Sequence, residues 1–360
     1  MKLATVLVLA ALGGPGCDAV WGLERGDAGI DVPSTWPNGY RFRKPITITS
    51  NLANDFTAVP INVVVTDPEL AARARTDGTD LVFTTSDDTV LDSELVTYDA
   101  ATGALDAWVN VPSVPGQKAT RLFLYFGGPQ AGSISSNVWS PRFAAVWHLS
   151  ASGSVEEDST SHAYRAAGSG TSTPASVAGI SGFARMFVGA QSFSLPPGAF
   201  TFGTASFAFS MWVRTPQPVS EYDSPFYMGA GTTDAGFNVL LGLNTWNAFV
   251  ADDVTAPAVT FSGVPITDRW VQLGVVVDRE SNLLVAYLDG AQVDVVSLGT
   301  FGSTSSVQRL RLSPDEYPLN GILDEVRVYA GVPPPGWFAF EHANLADRVH
   351  FLQLGDLQAP

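Results

Sequence analysis

The sequence predicts an all-β protein: two β-sandwich domains in tandem behind an export leader. Three observations predict it. The 360 residues exceed one small core and suit two units of about 100 to 200 residues each. Charged residues make up only 15%, while 34 Gly and 24 Pro punctuate the chain, a composition suited to short strands and turns rather than long helices. Finally, β-branched and aromatic residues alternate in short runs bounded by Gly, Pro or Asp, the pattern of half-buried strands.

The amino terminus reads as an export signal. Met1 and Lys2 form a short positive end, and Leu3 to Leu12 form an apolar run too short to span a bilayer. Cys17, the only cysteine, directly follows in Leu12-Gly13-Gly14-Pro15-Gly16-Cys17, which resembles a bacterial lipoprotein cleavage site. Residues 1–17 are therefore read as a lipoprotein-type signal peptide with lipid attached at Cys17. A single thiol forms no internal disulfide. Residues 18–35 lack a clean period and read as a tether. The expected location is the bacterial cell envelope, with the membrane reached through the lipid anchor.

The formal net charge is −16, and loss of Lys2 with the leader makes it one unit more negative. After the leader the only lysines are Lys44 and Lys118. Nucleic acid is excluded as a partner, and no polybasic patch exists to hold anionic lipid. Neutral ligands and cations remain.

The first domain is assigned to residues 36–135. Its expected strands are Ile46 to Thr49, Val59 to Val65, Leu81 to Thr85, Glu94 to Tyr98, Ala107 to Val111 and Thr120 to Phe126, with one short helix at Glu69 to Arg75. Four blocks, Tyr40 to Ile48, Asp77 to Thr84, Trp108 to Pro112 and Leu122 to Gly127, resemble the bacterial domain of unknown function 2341. That resemblance implies an exported β domain, found beside lectin-like modules, with no established chemistry.

The second domain is assigned to residues 143–357. Strands are expected at Ser206 to Arg214, Phe237 to Leu243, Trp246 to Ala251, Arg269 to Asp278, Asn282 to Val296, Ser306 to Leu312 and Gly321 to Ala330. Asp289-Gly290 splits the Asn282 to Val296 stretch into a hairpin, because a two-residue turn demands positive φ that Gly tolerates. A short helix at Gly336 to Asn344 and a last strand at Val349 to Leu354 follow Pro333-Pro334-Pro335. Val146 to Leu149, Ser206 to Val213, Arg269 to Leu273 and Leu323 to Tyr329, in that order, resemble the concanavalin A-like jelly roll of the laminin-G type. This implies a lectin-like fold without naming a ligand.

Catalytic motifs are sparse. His148, His162, His342 and His350 show no zinc spacing, and no nucleophile elbow or phosphate-binding loop occurs. A glycoside hydrolase would need two carboxylates, and the nearest acidic run, Glu156-Glu157-Asp158, reads as a solvated loop. Asp324 sits where laminarinase-like relatives hold a structural calcium ion, and Asp158 would supply a second oxygen. The resemblance thus implies one structural Ca2+; the alternative is that Asp324 accepts turn amides. Trp147, Trp212 and Trp270 read as core. Trp246, with Asn244 and Asn247 beside it, combines a ring with amide groups and is the expected ligand-facing set. The expected function is non-catalytic recognition of a glycan or a surface protein. The rivals are a glycoside hydrolase on the same fold and an architectural envelope component without ligand.

Overall fold

A computed structural model describes residues 36, 39–129, 136–139, 141–170, 172–215, 222–229, 234–242, 245–262 and 268–360. The leader, Cys17 and the 18–35 tether lie outside the described residues, as does Asn244. The described residues are nearly all β, in four antiparallel sheets. No helix among the described residues is long and apolar enough to cross a membrane.

The first sandwich pairs a four-stranded sheet with a three-stranded one. The four-stranded sheet runs Leu352–Leu354, Phe42–Thr49, Ala119–Phe126, Val82–Thr85; the other runs Phe56–Thr66, Ala104–Val114, Ser93–Asp99. Alternation fills the space between them. Ile46 and Ile48 from one sheet and Ile61, Val63, Leu105 and Val109 from the other are buried in one cluster, as period-2 side chains dictate. The short helix forms at Pro68–Arg73, where Asp67 caps it by accepting the amides of Glu69 and Leu70.

The second sandwich stacks two eight-stranded sheets. The inner sheet runs Ala175–Ala178, Phe183–Phe187, Gly321–Ala330, Phe207–Arg214, Val271–Asp278, Leu283–Leu288, Ala291–Ser297, with Phe143–Trp147 also paired to Gly321–Ala330. The outer sheet runs Ala258–Phe261, Thr245–Ala251, Gly236–Gly242, Asp223–Met228, Arg311–Leu312, Gln191–Ser194, Ala166–Gly170, Val155–Glu156. Phe209, Val275, Val328, Phe226, Phe237 and Leu312 meet in the core between them. Asp289 and Gly290 both take positive φ, 49° and 79°, and form the expected hairpin turn. Of the Ser306 to Leu312 stretch only Arg311–Leu312 is strand.

The expected division at residues 135 and 357 meets a different arrangement at the carboxy terminus. Leu352–Leu354 pairs antiparallel with Phe42–Thr49, so the end of the chain returns to complete the first sandwich. The helix forms at Trp337–Ala346 and lies between the two units. Phe338 packs on Gly274 of the inner sheet, where a Cβ would sit only 2.9 Å from its ring. On the other side Phe340 packs against Phe56 with ring centroids 4.6 Å apart, and Asn344 hydrogen-bonds the backbone of Asn62 and Pro60. The inner sheet is therefore covered on both faces, by the outer sheet on one side and by this helix and the three-stranded sheet on the other.

Candidate functional site

Two polar clusters stand out, and only one faces outward. The inward one lies between the sandwiches. Glu325 and Arg327 alternate along Gly321–Ala330 and point away from the lectin-like core toward the first domain. Arg327 Nη2 meets Glu325 at 2.7 Å and Nη1 meets Glu341 at 2.7 Å. Its guanidinium lies 4.6 Å from the ring centroid of Trp108, in the first unit, and 5.4 Å from that of Trp139, in the segment joining the two. His148 Nδ1 lies 2.8 Å from Glu325, and Nε2 lies 3.4 Å from Glu94. Glu94 also accepts Trp139 Nε1 and Ser159 Oγ, each at 2.6 Å, and Tyr329 donates to Glu341. Burial alone would favour neutral groups. Here it is outweighed: the two carboxylates raise His148 well above the usual histidine range, and His148 with Arg327 pulls Glu325 down to about 2. Apart from Arg327 Nε, which has no hydrogen-bond partner, these groups are paired with one another, and all the charged ones but the partly exposed Glu94 are buried, so the cluster joins domains rather than binding solutes.

The outward cluster lies on the solvent side of the outer sheet. Phe226, Leu312, Phe193 and Val239 point into the core, so their neighbours point out. Tyr227 is directly opposite Asn238 on one side and Arg311 on the other, and Arg311 is opposite Ser194; opposed residues share a face. The Arg311 guanidinium sits 5.2 Å from the Tyr227 ring centroid and pairs with Glu316 at 2.6 Å. Tyr317 adds a ring 5.9 Å from Tyr227, and Tyr222 stands edge-on 6.4 Å from Tyr317. Tyr222, 55% exposed, rests on Gly242, where a Cβ would come within 2.3 Å of its ring; only glycine permits that close approach. Tyr317 is fixed by its own amide to the Pro314 carbonyl and by the Ser224 amide to its carbonyl. Burial raises the Tyr227 phenol, and nearby Tyr317 and Glu316 add to the rise, so it stays a neutral donor and acceptor. Three rings, a guanidinium and a carboxylate thus share one surface, offering apolar faces and both hydrogen-bond senses.

The expected ligand-facing set divides. Trp246 is fully buried in the lectin-like core, which corrects the expectation for it: successive strand residues face opposite sides, and Trp246 takes the inward side with Ala248 and Val250. Asn247 takes the outward side and its Oδ1 accepts Thr260 Oγ1 at 2.9 Å, on the same face as the tyrosine cluster. Trp147 and Trp212 are core as expected, and Trp270 is half-buried at the edge of the interdomain cluster.

The acids also resolve into structural roles. Glu156 and Asp158 are buried rather than solvated, because Arg185 pairs with Glu156 at 2.5 Å and Asp158 accepts the amides of Val146, Thr160 and Tyr164. Glu157 alone is exposed. Asp324 Oδ2 accepts the amides of Ile180 and Ser181 at 2.7 and 3.2 Å, and Oδ1 accepts that of Glu325 at 2.8 Å. Burial, with Glu325 beside it, raises Asp324 well above the usual carboxylate range. Amide hydrogens thus converge on both carboxylates, the second of the two roles expected for Asp324. Among the described residues no three His, Cys, Asp or Glu side chains form a metal-binding group.

With this geometry in place, the comparisons with known proteins bear on the second unit. Residues 187–335 match the family model of the concanavalin A-like lectin/glucanases superfamily. This stretch is a concanavalin A-like lectin/glucanase domain. The match contains every strand that carries the tyrosine cluster. No curated protein matches the chain. Among solved structures, the chain is similar to the binding domain of Paraclostridial Mosquitocidal Protein 1, at 11% identity and TM-score 0.47 over 56% of this chain and 52% of that one. It is also similar to the botulinum neurotoxin serotype G binding domain, at 12% identity and TM-score 0.46 over 56% and 50%. A third is domain 4 of AbnA, a GH43 extracellular arabinanase from Geobacillus stearothermophilus, in complex with arabinotriose, at 19% identity and TM-score 0.45 over 55% and 97%. The chain spans about half the length of the first two.

Tyr222, Tyr227, Tyr317 and Arg311 were not singled out by sequence. Pro225 hid their strand: a central proline argues against one, yet the pairing of Asp223–Met228 shifts register there as a bulge. The usable signal was the pair Tyr222 and Tyr227 flanking an Asp-Ser-Pro-Phe run, with Tyr317 before Pro318.

Proposed function

We propose that this chain is a non-catalytic binding protein of the bacterial cell envelope whose lectin-like domain recognises a glycan on the Tyr222, Tyr227 and Tyr317 surface. The observation that carries the reading is that surface: the exposed Tyr222 ring and the half-buried Tyr317 and Tyr227 rings beside an Arg311–Glu316 pair. A sugar ring presents C–H groups on its faces and hydroxyls at its rim. Stacking on a tyrosine takes the first, while guanidinium donors and carboxylate acceptors take the second. Because Glu316 neutralises Arg311 and the whole chain is acidic, a neutral glycan is favoured over an acidic one.

A glycan array with the full chain should give hits on neutral glycans, and Tyr222→Ala should weaken the best of them about tenfold, the loss expected of one anchoring ring. Tyr222 is exposed, so stability should not change. Binding that survives both Tyr222→Ala and Arg311→Ala unaltered would place the site elsewhere. Anchoring through Cys17 belongs to the same reading. Replacing Cys17 with Ser should shift the protein from the detergent to the aqueous phase on partition, and an unchanged distribution would remove the lipid from the account.

A further inference from the structure

The chain has 16 arginines and 3 lysines. Among the described residues, arginine forms every carboxylate ion pair not made by histidine, except one. The exception is Lys44 with Asp67. It is buried: side-chain exposures are 10% and 11%. Lys44 sits on the core-facing side of Phe42–Thr49, opposite the fully buried Leu124 and in line with Ile46 and Ile48. Asp67 immediately follows Phe56–Thr66 in the facing sheet. Lys44 Nζ contacts Asp67 Oδ2, while Oδ1 accepts the amides of Glu69 at 2.8 Å and Leu70 at 3.3 Å.

An arginine would hold a buried carboxylate with two parallel hydrogen bonds and never lose its proton. A lysine at this enclosed site of the first sandwich instead brings a primary amine against a carboxyl group. We propose that Lys44 and Asp67 condense to an intramolecular amide that covalently joins the two sheets of the first sandwich. A proton passes from Nζ to Oδ2, which leaves a neutral amine and a carboxylic acid. The Nζ lone pair attacks Cγ, and the charge that develops on Oδ1 is met by the two backbone amides already directed at it. The N–C bond closes as the Cγ–Oδ2 bond breaks; Oδ2 departs as water with two of the three ammonium hydrogens, and the third remains on the amide. No oxidant, cofactor or second molecule is consumed. The link ties residue 44 to residue 67 in a chain whose single cysteine gives it no disulfide, which suits a protein displayed outside the cell.

The test is mass spectrometry of the folded full chain. Trypsin does not cut the Lys44–Pro45 bond, and no other basic residue precedes Arg73, so both groups fall in the peptide 44–73. In wild type that peptide should be lighter than its sequence by one water, and after chymotryptic cleavage at Phe56 its halves should remain joined. Lys44→Arg keeps the charge and cannot form the amide, so its corresponding peptides should have full sequence mass. A wild-type 44–73 peptide at full sequence mass that separates at Phe56 overturns the proposal, and that readout does not depend on the variant folding.

Discussion

Arg327→Met is expected to lower the stability of the whole chain by about 3 to 5 kcal/mol, the cost of removing one partner from a buried ion pair. Methionine nearly preserves the volume and still packs on Trp108 and Trp139, so the loss isolates the charge. What remains is Glu325 and Glu341 with the guanidinium gone from between them. Glu325 keeps His148, whereas Glu341 keeps only Tyr329, Ser210 and Gln272 as donors, neutral groups that cannot balance its charge. The measurement is urea unfolding followed by circular dichroism and by tryptophan fluorescence. Wild type should show one transition in both probes, since the interdomain cluster and the shared strand couple the sandwiches. In the variant the midpoint should fall steeply. A change below about 1 kcal/mol would mean that the cluster is solvated in solution.

The extent to which this fold was legible in sequence depends on what covers each face. Alternation marked Gly321–Ala330, Phe207–Arg214 and Val271–Asp278 correctly as strands, and the Asp289-Gly290 turn specified its hairpin. Alternation also says which residues share a face, but not what lies against it. Glu325 and Arg327 look like the solvent side of a half-buried strand; in the folded chain that side meets the helix Trp337–Ala346 and the first domain. Asp106, Asn62 and Ser181 join there in a hydrogen-bonded set drawn from three distant segments, and no local pattern reports such a meeting. The short strands Ala166–Gly170 and Ala175–Ala178 were missed because Gly, Ser and Ala dominate them, with little hydrophobic contrast. At the candidate surface the error was one of parity: Trp246 and Asn247 are neighbours, so only one of them faces outward. Of the last strand expected at Val349 to Leu354 only Leu352–Leu354 is strand, after a helical turn at Arg348–Phe351, and its return to the first sheet was hidden because periodicity does not name a strand's partner.

The same cluster sets the expected pH dependence. The folded-state pKa of His148 lies well above its unfolded value because Glu325 and Glu94 overcome the effect of burial. Its charge therefore stabilises the fold fully below the unfolded value of about 6.5, and that contribution is lost as pH rises through the folded value. Glu325 behaves oppositely: lowered to about 2, it contributes above the unfolded carboxylate range, and the contribution disappears as pH falls toward 2. Glu94 shifts in the same sense as Glu325. The charged groups facing the imidazole from the surrounding elements are thus Glu94, Glu325, Arg327 beyond it, and Asp106 and Glu156, the last two raised by their burial. His148→Gln leaves all of these in place, so the difference between the two proteins reports the histidine. At pH 6 the variant should be less stable by about 3 kcal/mol, the lower end of the cost for removing one partner of a buried pair. As pH rises through the folded value of His148 the wild type should lose that advantage and the two urea midpoints should converge, whereas a gap that persists unchanged at alkaline pH would show that His148 acts by shape and not by charge.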